Sequence, residues 1–95
     1  MSTFDAIVVG LGAMGSASAY QLAKRGARVL GIDQFSPPHD MGSSHGDTRI
    51  TRLGVGEGLH YTPLVMRSHE IWRALEAEIG ETLLTANGGL IISSR

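Results

Sequence analysis

The sequence has no cysteine among its 95 residues. A disulfide framework, a thiolate metal site and a cysteine nucleophile are therefore excluded from this stretch. Neither sign of charge is in excess, because eight basic residues face nine acidic ones and the formal net charge is −1. This balance indicates neither a nucleic-acid surface nor a membrane-binding surface. Long hydrophobic runs are also missing, and none approaches the roughly 20 residues of a membrane span.

The remaining composition is that of an ordinary globular chain, with 42% hydrophobic and 18% charged residues. At this length we expect one domain at most. A secretory signal is not predicted, because Asp5 stands where a cationic segment would lie, and we expect a cytoplasmic protein. No set of histidine, aspartate and glutamate residues has metal-ligand spacing, so no metal is expected.

Glycine, in contrast, is abundant, with 13 residues that cluster along the chain. The first cluster, at 10–15, follows the apolar run 6–9, which predicts a strand buried on both faces. Helix-compatible residues follow at 16–25, and residues 28–32 predict a second strand, which ends at Asp33. Strand, glycine turn, helix and strand in this order predict a βαβ unit and an α/β fold.

The βαβ unit, residues 1–33, has the features of a dinucleotide-binding turn. Gly10 permits a tight turn, Gly12 lets the backbone approach a pyrophosphate, and Gly15 lets helix and strand pack closely. Asp33 is placed to accept hydrogen bonds from an adenosine ribose. The motif indicates an ADP-containing dinucleotide without separating NAD from FAD. The expected cofactor contacts in this unit are Gly10, Gly12, Ala13, Met14, Gly15 and Asp33.

A long segment without sustained periodicity, 34–61, holds five further glycines and is predicted to be a cofactor and active-site loop. Its adjacent hydroxyls and glycines could bind an anion. Arg49 and Arg52 could bind a carboxylate as a fork, and His45 could transfer a proton. The same side chains could equally be ordinary polar surface, and the residues alone leave these alternatives open.

The last third of the chain is predicted to contain one helix and two strands. An amphipathic helix is expected over 62–80, with apolar residues at helical spacing and charges opposite. Two strands are expected within 83–93, at 83–85 and 90–92, joined by a glycine-containing turn. We interpret this region as the start of a substrate-domain strand segment.

The predicted elements are too few for a complete nucleotide-binding domain. Two parallel strands and one crossover helix do not make a doubly wound sheet. We therefore expect residues 1–95 to be the N-terminal part of a longer chain. The alternative is a small protein whose sheet is completed by a partner.

Four stretches, taken in order, carry a more specific signal. They are the strand and glycine turn at 7–15, then Pro37-Pro38-His39, then the run 42–49 with the sequence GSSHGDTR, then Gly56-Glu57-Gly58 with Tyr61, Pro63 and Trp72 after it. Together they resemble the FAD-dependent amine oxidases that include monomeric sarcosine oxidase and N-methyltryptophan oxidase. The resemblance covers essentially the whole chain but only the N-terminal part of a typical family member.

The resemblance implies a Rossmann-like FAD-binding domain within the D-amino-acid-oxidase-like superfamily. It implies oxidation of a secondary or N-methyl amino acid at its C–N bond, giving an imine, with O2 reduced to hydrogen peroxide. The implied partners are the amino-acid substrate, O2 and the remaining chain or another subunit, without which this stretch is expected to be inactive. Many members attach FAD covalently to a downstream cysteine.

Carried over by position, the resemblance also assigns roles in the loop. Arg49 would lie close to the flavin ring, where a cation stabilises negative charge on reduced flavin. Arg52 would pair with the substrate carboxylate, and His45 would lie near the flavin, so that Arg49 and His45 are the catalytic candidates. The further cofactor contacts implied are Ser43, Ser44, Thr48 and Arg49.

The sequence departs from the family pattern near the substrate-facing stretch. Ser44 stands where some members have a second histidine, and Leu53 replaces a histidine common after the Arg52 position. A pipecolate or amino-sugar amine oxidase therefore stays open as a relative. The βαβ unit is also compatible with two other functions. One is an NAD-dependent dehydrogenase, and the other is a non-enzymatic dinucleotide-binding subunit completed by another chain.

Overall fold

The structure, a computed structural model, describes residues 3–92 and 94. The chain divides into two compact units, here called the N-terminal unit (Met1–Thr48) and the C-terminal unit (Arg49–Arg95). In chain order the elements are strand β1 (Ala6–Val9), helix α1 (Ala13–Lys24), strand β2 (Val29–Ile32), a 3₁₀ turn (Leu59–Tyr61) and helix α2 (Thr62–Ile79).

The N-terminal unit is the predicted βαβ arrangement. Strands β1 and β2 pair in parallel, with Ala6 opposite Val29 and Val9 opposite Ile32. Parallel strands cannot be joined by a tight hairpin, and α1 provides the crossover between them. The sequence prediction of an α/β fold that begins with strand, helix and strand is therefore confirmed.

One face of this two-stranded sheet is exposed, contrary to the expectation of a strand buried on both faces. Along β1, Ala6 and Val8 are half-buried, whereas the exposed fractions of Ile7 and Val9 are 59% and 81%. Side chains of a strand alternate between the two faces of a sheet, and α1 covers one face. The apolar run therefore predicted the strand correctly, but within the N-terminal unit only one of its faces is covered.

Between β2 and the 3₁₀ turn at Leu59–Tyr61 the described chain forms neither helix nor strand. The part of this segment that lies in the N-terminal unit returns to the glycine turn at the start of α1. The peptide bond between Pro37 and Pro38 in it is cis. This segment supplies most of the side chains of the site described below.

Helix α2 is the main element of the C-terminal unit. Its apolar side chains are unevenly covered, since Ile71 and Leu75 are half-buried while Leu64 and Trp72 are exposed. The helix ends at Gly80, whose φ of 74° lies in the left-handed region and whose N–H donates to the carbonyl oxygen of Glu76. Glycine adopts this conformation without a Cβ penalty, which explains the termination.

The two strands expected within 83–93 are not confirmed. Residues 83–92 form no strand, and residue 93 lies outside the described part of the chain. The N–H groups of Leu83 and Leu84 donate instead to Oε2 of Glu76, at 2.8 and 3.3 Å. A strand requires a hydrogen-bonded neighbour, and these amides are bonded to a helix side chain. The proposed start of a substrate-domain strand segment is likewise not confirmed.

Among the described residues, no helix is long and apolar enough to cross a membrane.

Candidate functional site

The glycine turn between β1 and α1 has a backbone that other residues could not adopt. Gly10 has a φ of 90°, and its N–H donates to the carbonyl oxygen of Ile32 at 2.7 Å. A Cβ placed on Gly15 would overlap the carbonyl oxygen of Gly10 and lie 3.4 Å from Cγ1 of Val8. The turn therefore needs glycine at its first position for its dihedral angle and at its last for close packing.

The N-terminus of α1 is held by a serine from the following loop. Oγ of Ser44 accepts the N–H of Ala13 at 3.0 Å, whereas the N-cap residue Gly12 has no side chain to do so. A Cβ on Gly12 would lie 3.3 Å from the same Oγ. Met14 and Gly15 also lie in the first turn of α1. Because the first N–H groups of a helix have no intrahelical acceptor, those of Met14 and Gly15 are further candidate donors for an anion.

Asp33 follows β2, and its carboxylate forms hydrogen bonds with the glycine turn and with two residues of the following loop. Its Oδ2 accepts the N–H of Leu11, in the glycine turn, at 2.8 Å. Its Oδ1 accepts the N–H of Phe35 at 2.9 Å, which is the local turn that aspartate favours at the end of a strand. Oδ1 also lies 2.8 Å from Nε2 of His39.

These contacts keep the carboxylate of Asp33 ionised. The N–H groups of Phe35 and Leu11, followed by the hydrogen bond from His39, lower the pKa of Asp33 from 3.8 to about 2. Donors that point at a carboxylate favour its charged form. Asp33 is therefore a negatively charged acceptor over the whole neutral pH range.

An open cavity in the N-terminal unit brings these features together. Its volume is about 580 Å³, within the usual range of ligand pockets. It is lined by Gly10, Leu11, Gly12, Ala13, Ser16, Asp33, Pro37, Pro38, His39, Gly42, Ser43 and Ser44. Backbone donors, hydroxyl groups and one carboxylate thus surround one space at the carboxyl end of a parallel pair, where α/β sheets bind ligands.

Several of the predicted site residues do not line this cavity. Met14 and Gly15 are not among its lining residues, and the side chain of Met14 is 86% exposed. His45 and Thr48 are exposed and lie outside the cavity lining. Arg49 and Arg52 belong to the C-terminal unit, and Nη2 of Arg52 lies 3.4 Å from Oε1 of Glu57 in an exposed ion pair.

The structure adds cavity residues that sequence reasoning did not assign to a site. His39 and the two prolines before it were noticed only as part of a family resemblance, yet they line the cavity. Leu11 contributes its N–H to Asp33, which no side-chain pattern could reveal. The available signal was the Pro-Pro-His run itself, which begins four residues after Asp33 and ends at His39.

A second depression lies in the C-terminal unit and has a different character. It is wide open and lined by Leu53, Met66, His69, Glu70 and Arg73. Two of its charges already pair along α2, Glu70 with Arg67 at 2.9 Å and Arg73 with Glu76 at 2.7 Å. It has neither glycine backbone nor helix N-terminus to hold a phosphate. Over the described residues, no group of three or more potential ligands could hold a metal.

Comparison with known proteins shows which family the chain is similar to. Residues 5–95 match the family described as FAD dependent oxidoreductase. The chain is 52% identical over 96 residues to monomeric sarcosine oxidase of Bacillus sp. (strain B-0618), which covers 100% of this chain and 25% of that protein.

Two further relatives have similar identity and coverage. Monomeric sarcosine oxidase of Streptomyces avermitilis is 49% identical over 90 residues, covering 95% of this chain and 23% of that protein. N-methyl-L-tryptophan oxidase of Yersinia pestis (strain Pestoides F) is 48% identical over 85 residues, covering 90% of this chain and 23% of that protein. The chain thus spans about a quarter of the length of the curated relatives it matches. A family match over almost the entire chain, together with a cavity built from the dinucleotide-binding turn, establishes that the chain belongs to the FAD-dependent oxidoreductase family.

Proposed function

We propose that this chain holds the ADP half of FAD in an oxidase that acts on N-methyl or secondary amino acids. The observation that carries the proposal is the cavity that joins the glycine turn, the N-terminus of α1 and the carboxylate of Asp33. The names of the relatives, sarcosine oxidase and N-methyl-L-tryptophan oxidase, supply the substrate class. The match to an FAD-dependent family favours FAD over the NAD-dependent alternative.

The residues of the cavity fit the ADP half of the cofactor. A Cβ at Gly12 would project toward Ser44, so that glycine keeps space open beside the N-terminus of α1. The backbone N–H groups of Met14 and Gly15 would bind the pyrophosphate, which the positive end of the helix dipole also favours. The ionised Asp33 would accept a hydrogen bond from the adenosine ribose, and Ser43 would lie along the cofactor.

The residues beyond the cavity would act at the flavin end. We propose that Arg49 stabilises the negative charge of the reduced ring, because a preorganised cation lowers the free energy of developing charge. His45 would lie near the ring and influence its electrostatics. Thr48 would contact the cofactor between them. FAD supplies the two-electron acceptor for oxidation of the amine when it is bound.

Arg52 is proposed to bind the substrate carboxylate. A guanidinium offers paired donors that match a carboxylate in geometry and charge. The present partner of Arg52 is Glu57, in a pair whose side chains are 59% and 63% exposed. Such an exposed pair is worth little, so exchanging Glu57 for a substrate carboxylate requires little free energy. The substrate would lose two electrons and two protons to become an imine, and O2 would take them up as hydrogen peroxide.

We propose that further chain completes the fold. The uncovered face of β1, with Ile7 and Val9, is apolar and would be covered by the remaining chain or by another subunit. Parallel sheets of this kind are normally covered on both faces. The residues described here are therefore proposed to bind cofactor as part of a larger assembly rather than to turn over substrate by themselves.

The test uses the protein in its natural full length. We expect the purified protein to contain FAD and to release hydrogen peroxide with sarcosine or N-methyl-L-tryptophan. Gly12→Val should remove FAD binding, because the side chain would fill the space beside Ser44. Gly89→Ala is the matched control, since a Cβ there meets nothing within 4 Å. A folded, colourless wild-type protein that does not bind added FAD would contradict the proposal.

A further inference from the structure

The carboxylate of Asp33 carries three hydrogen bonds that are divided unequally between its oxygens. Oδ1 receives two, from the N–H of Phe35 at 2.9 Å and from Nε2 of His39 at 2.8 Å. Oδ2 receives one, from the N–H of Leu11 at 2.8 Å. An ionised carboxylate has about four acceptor positions, two on each oxygen. Oδ1 is therefore filled, and one acceptor position is left, on Oδ2.

His39 is held so that it donates to Asp33. Its Nδ1 accepts the backbone N–H of Met41 at 3.2 Å, which leaves Nε2 as the nitrogen that carries the proton in the neutral ring. The ring of Phe35 meets it edge-on, with 5.3 Å between ring centroids. The His39 and Asp33 side chains are 22% and 10% exposed, so this contact is more sheltered than the Arg–Glu ion pairs of the C-terminal unit.

The unequal sharing of hydrogen bonds between the two oxygens of Asp33 limits what the carboxylate can bind in the cavity. Asp33 and His39 both line it, and Asp33 is the only carboxylate among the lining residues. A ribose has two neighbouring hydroxyls, and a carboxylate with both oxygens available can accept one hydrogen bond from each. With Oδ1 filled by Phe35 and His39, the second of these hydrogen bonds has no acceptor.

We propose that His39 is a positioning residue that occupies Oδ1 of Asp33, so that the carboxylate binds the adenosine ribose through a single hydroxyl, on Oδ2. The inference rests on the proposed function, which gives Asp33 the ribose as its ligand. His39 itself does not touch the ribose in this arrangement. It acts by fixing which oxygen of Asp33 is available.

Nucleotides that each lack one hydroxyl test this inference. Full-length protein is prepared without flavin, from cells starved of riboflavin, and titrated calorimetrically with ADP, 2′-deoxy-ADP and 3′-deoxy-ADP. One deoxy nucleotide should bind roughly tenfold more weakly than ADP, as expected for loss of a hydrogen bond to a charged group, and the other should bind like ADP. Similar weakening of both, or of neither, would overturn the proposal.

Two substitutions at His39 separate hydrogen bonding from ring packing. His39→Gln can still donate to Asp33 and accept from Met41, and should keep the wild-type pattern. His39→Phe keeps a ring beside Phe35 but releases Oδ1, so that the second hydroxyl gains an acceptor and both deoxy nucleotides bind more weakly than ADP. A wild-type pattern in His39→Phe would overturn the role of His39. The matched control is His60→Phe in the C-terminal unit, because His60 is also next to an aromatic ring, that of Tyr61, with 4.2 Å between ring centroids.

Asp33→Asn distinguishes this inference from the proposed function. Thermal unfolding is measured for every variant, so that loss of folding is recognised. If folded Asp33→Asn binds ADP as tightly as wild type, the proposed ADP site is wrong and the inference fails with it. If Asp33→Asn loses affinity while His39→Phe keeps the wild-type deoxynucleotide pattern, the site stands and only the role of His39 is overturned.

Discussion

The hydroxyl of Ser44 accepts the N–H of Ala13 at 3.0 Å, across 31 positions of sequence. A loop residue thereby takes the place of the side-chain cap that Gly12 lacks. The arrangement joins the segment after β2 to the first turn of α1, next to the N–H groups proposed to bind pyrophosphate. The cap and the cofactor site are therefore parts of one local structure.

Ser44→Ala should destabilise the N-terminal unit. Loss of a helix N-terminal cap costs about 1 kcal/mol, because the N–H of Ala13 loses its acceptor. Ser43→Ala is the control, since Ser43 lines the same cavity without making this hydrogen bond. Urea unfolding of the full-length protein measures both, and equal stability of the two variants would show that Ser44 does not act as a cap.

Gly15→Ala should disrupt the glycine turn. The added Cβ would overlap the carbonyl oxygen of Gly10, which is backbone and cannot move aside as a flexible side chain would. Overpacking of this kind typically destabilises by about 1–3 kcal/mol. Gly89→Ala, where a Cβ meets nothing within 4 Å, should leave unfolding unchanged. A Gly15→Ala protein as stable as Gly89→Ala would contradict the close approach of helix and turn.

Acid should remove the contribution of Asp33 to stability. Its pKa is lowered from 3.8 to about 2 in the folded protein, so its contribution is complete above the ordinary value and is lost as the pH falls through the folded value. The difference in free energy of unfolding between wild type and Asp33→Asn should therefore be constant near neutral pH and shrink as the pH approaches 2. Urea titrations at successive pH values measure it, and a difference independent of pH would refute the assignment.

Glu76 should hold the segment after α2 in place. Its Oε1 accepts from Arg73 at 2.7 Å and its Oε2 from the N–H of Leu83 at 2.8 Å, and these donors lower its pKa below 4.5. Glu76→Ala should therefore speed amide hydrogen exchange at Leu83 and Leu84. Glu70→Ala is the matched control, because Glu70 pairs with Arg67 where both side chains are about two-thirds exposed, at 65% and 67%. If amide hydrogen exchange at Leu83 and Leu84 is unchanged in Glu76→Ala, Glu76 does not hold this segment.

Arg52→Ala should weaken substrate binding more than it slows the chemical step. Losing a charge-assisted hydrogen bond to a carboxylate should raise KM roughly tenfold or more, with a smaller change in kcat. Arg67→Ala removes an exposed arginine of α2 and serves as the control. Steady-state peroxide release by the full-length protein measures both constants. If Arg52→Ala leaves KM unchanged, Arg52 does not bind the substrate carboxylate.

Local backbone requirements made the βαβ unit predictable. Gly10 needs a positive φ and Gly15 needs the absence of a Cβ, and both needs are met by one residue type that can be read from a sequence. The apolar runs identified β1 and β2 for a similar reason, since strand propensity and a short apolar run are local features of the sequence. The covering of β1 could not be predicted in this way, because it depends on which elements pack on each face.

The strands expected within 83–93 show the limit of the same reasoning. Leu83 and Leu84 have strand-like character, but a strand exists only when another strand offers hydrogen bonds. In the structure the carboxylate of Glu76 binds their N–H groups. Competition between a side-chain acceptor and a strand partner cannot be decided from residue types.

By itself, the sequence determined the glycine turn, the acidic residue after β2 and the family resemblance carried by the run 42–49, because each depends on residue identity at fixed spacing. Only the tertiary structure decided that His39 fills one oxygen of Asp33 and that Ser44 caps α1. Both contacts join residues through the path of a loop with no repeating pattern. A hydrogen bond requires its donor and acceptor to lie within a few tenths of an ångström of about 3 Å, and the folded chain sets these distances.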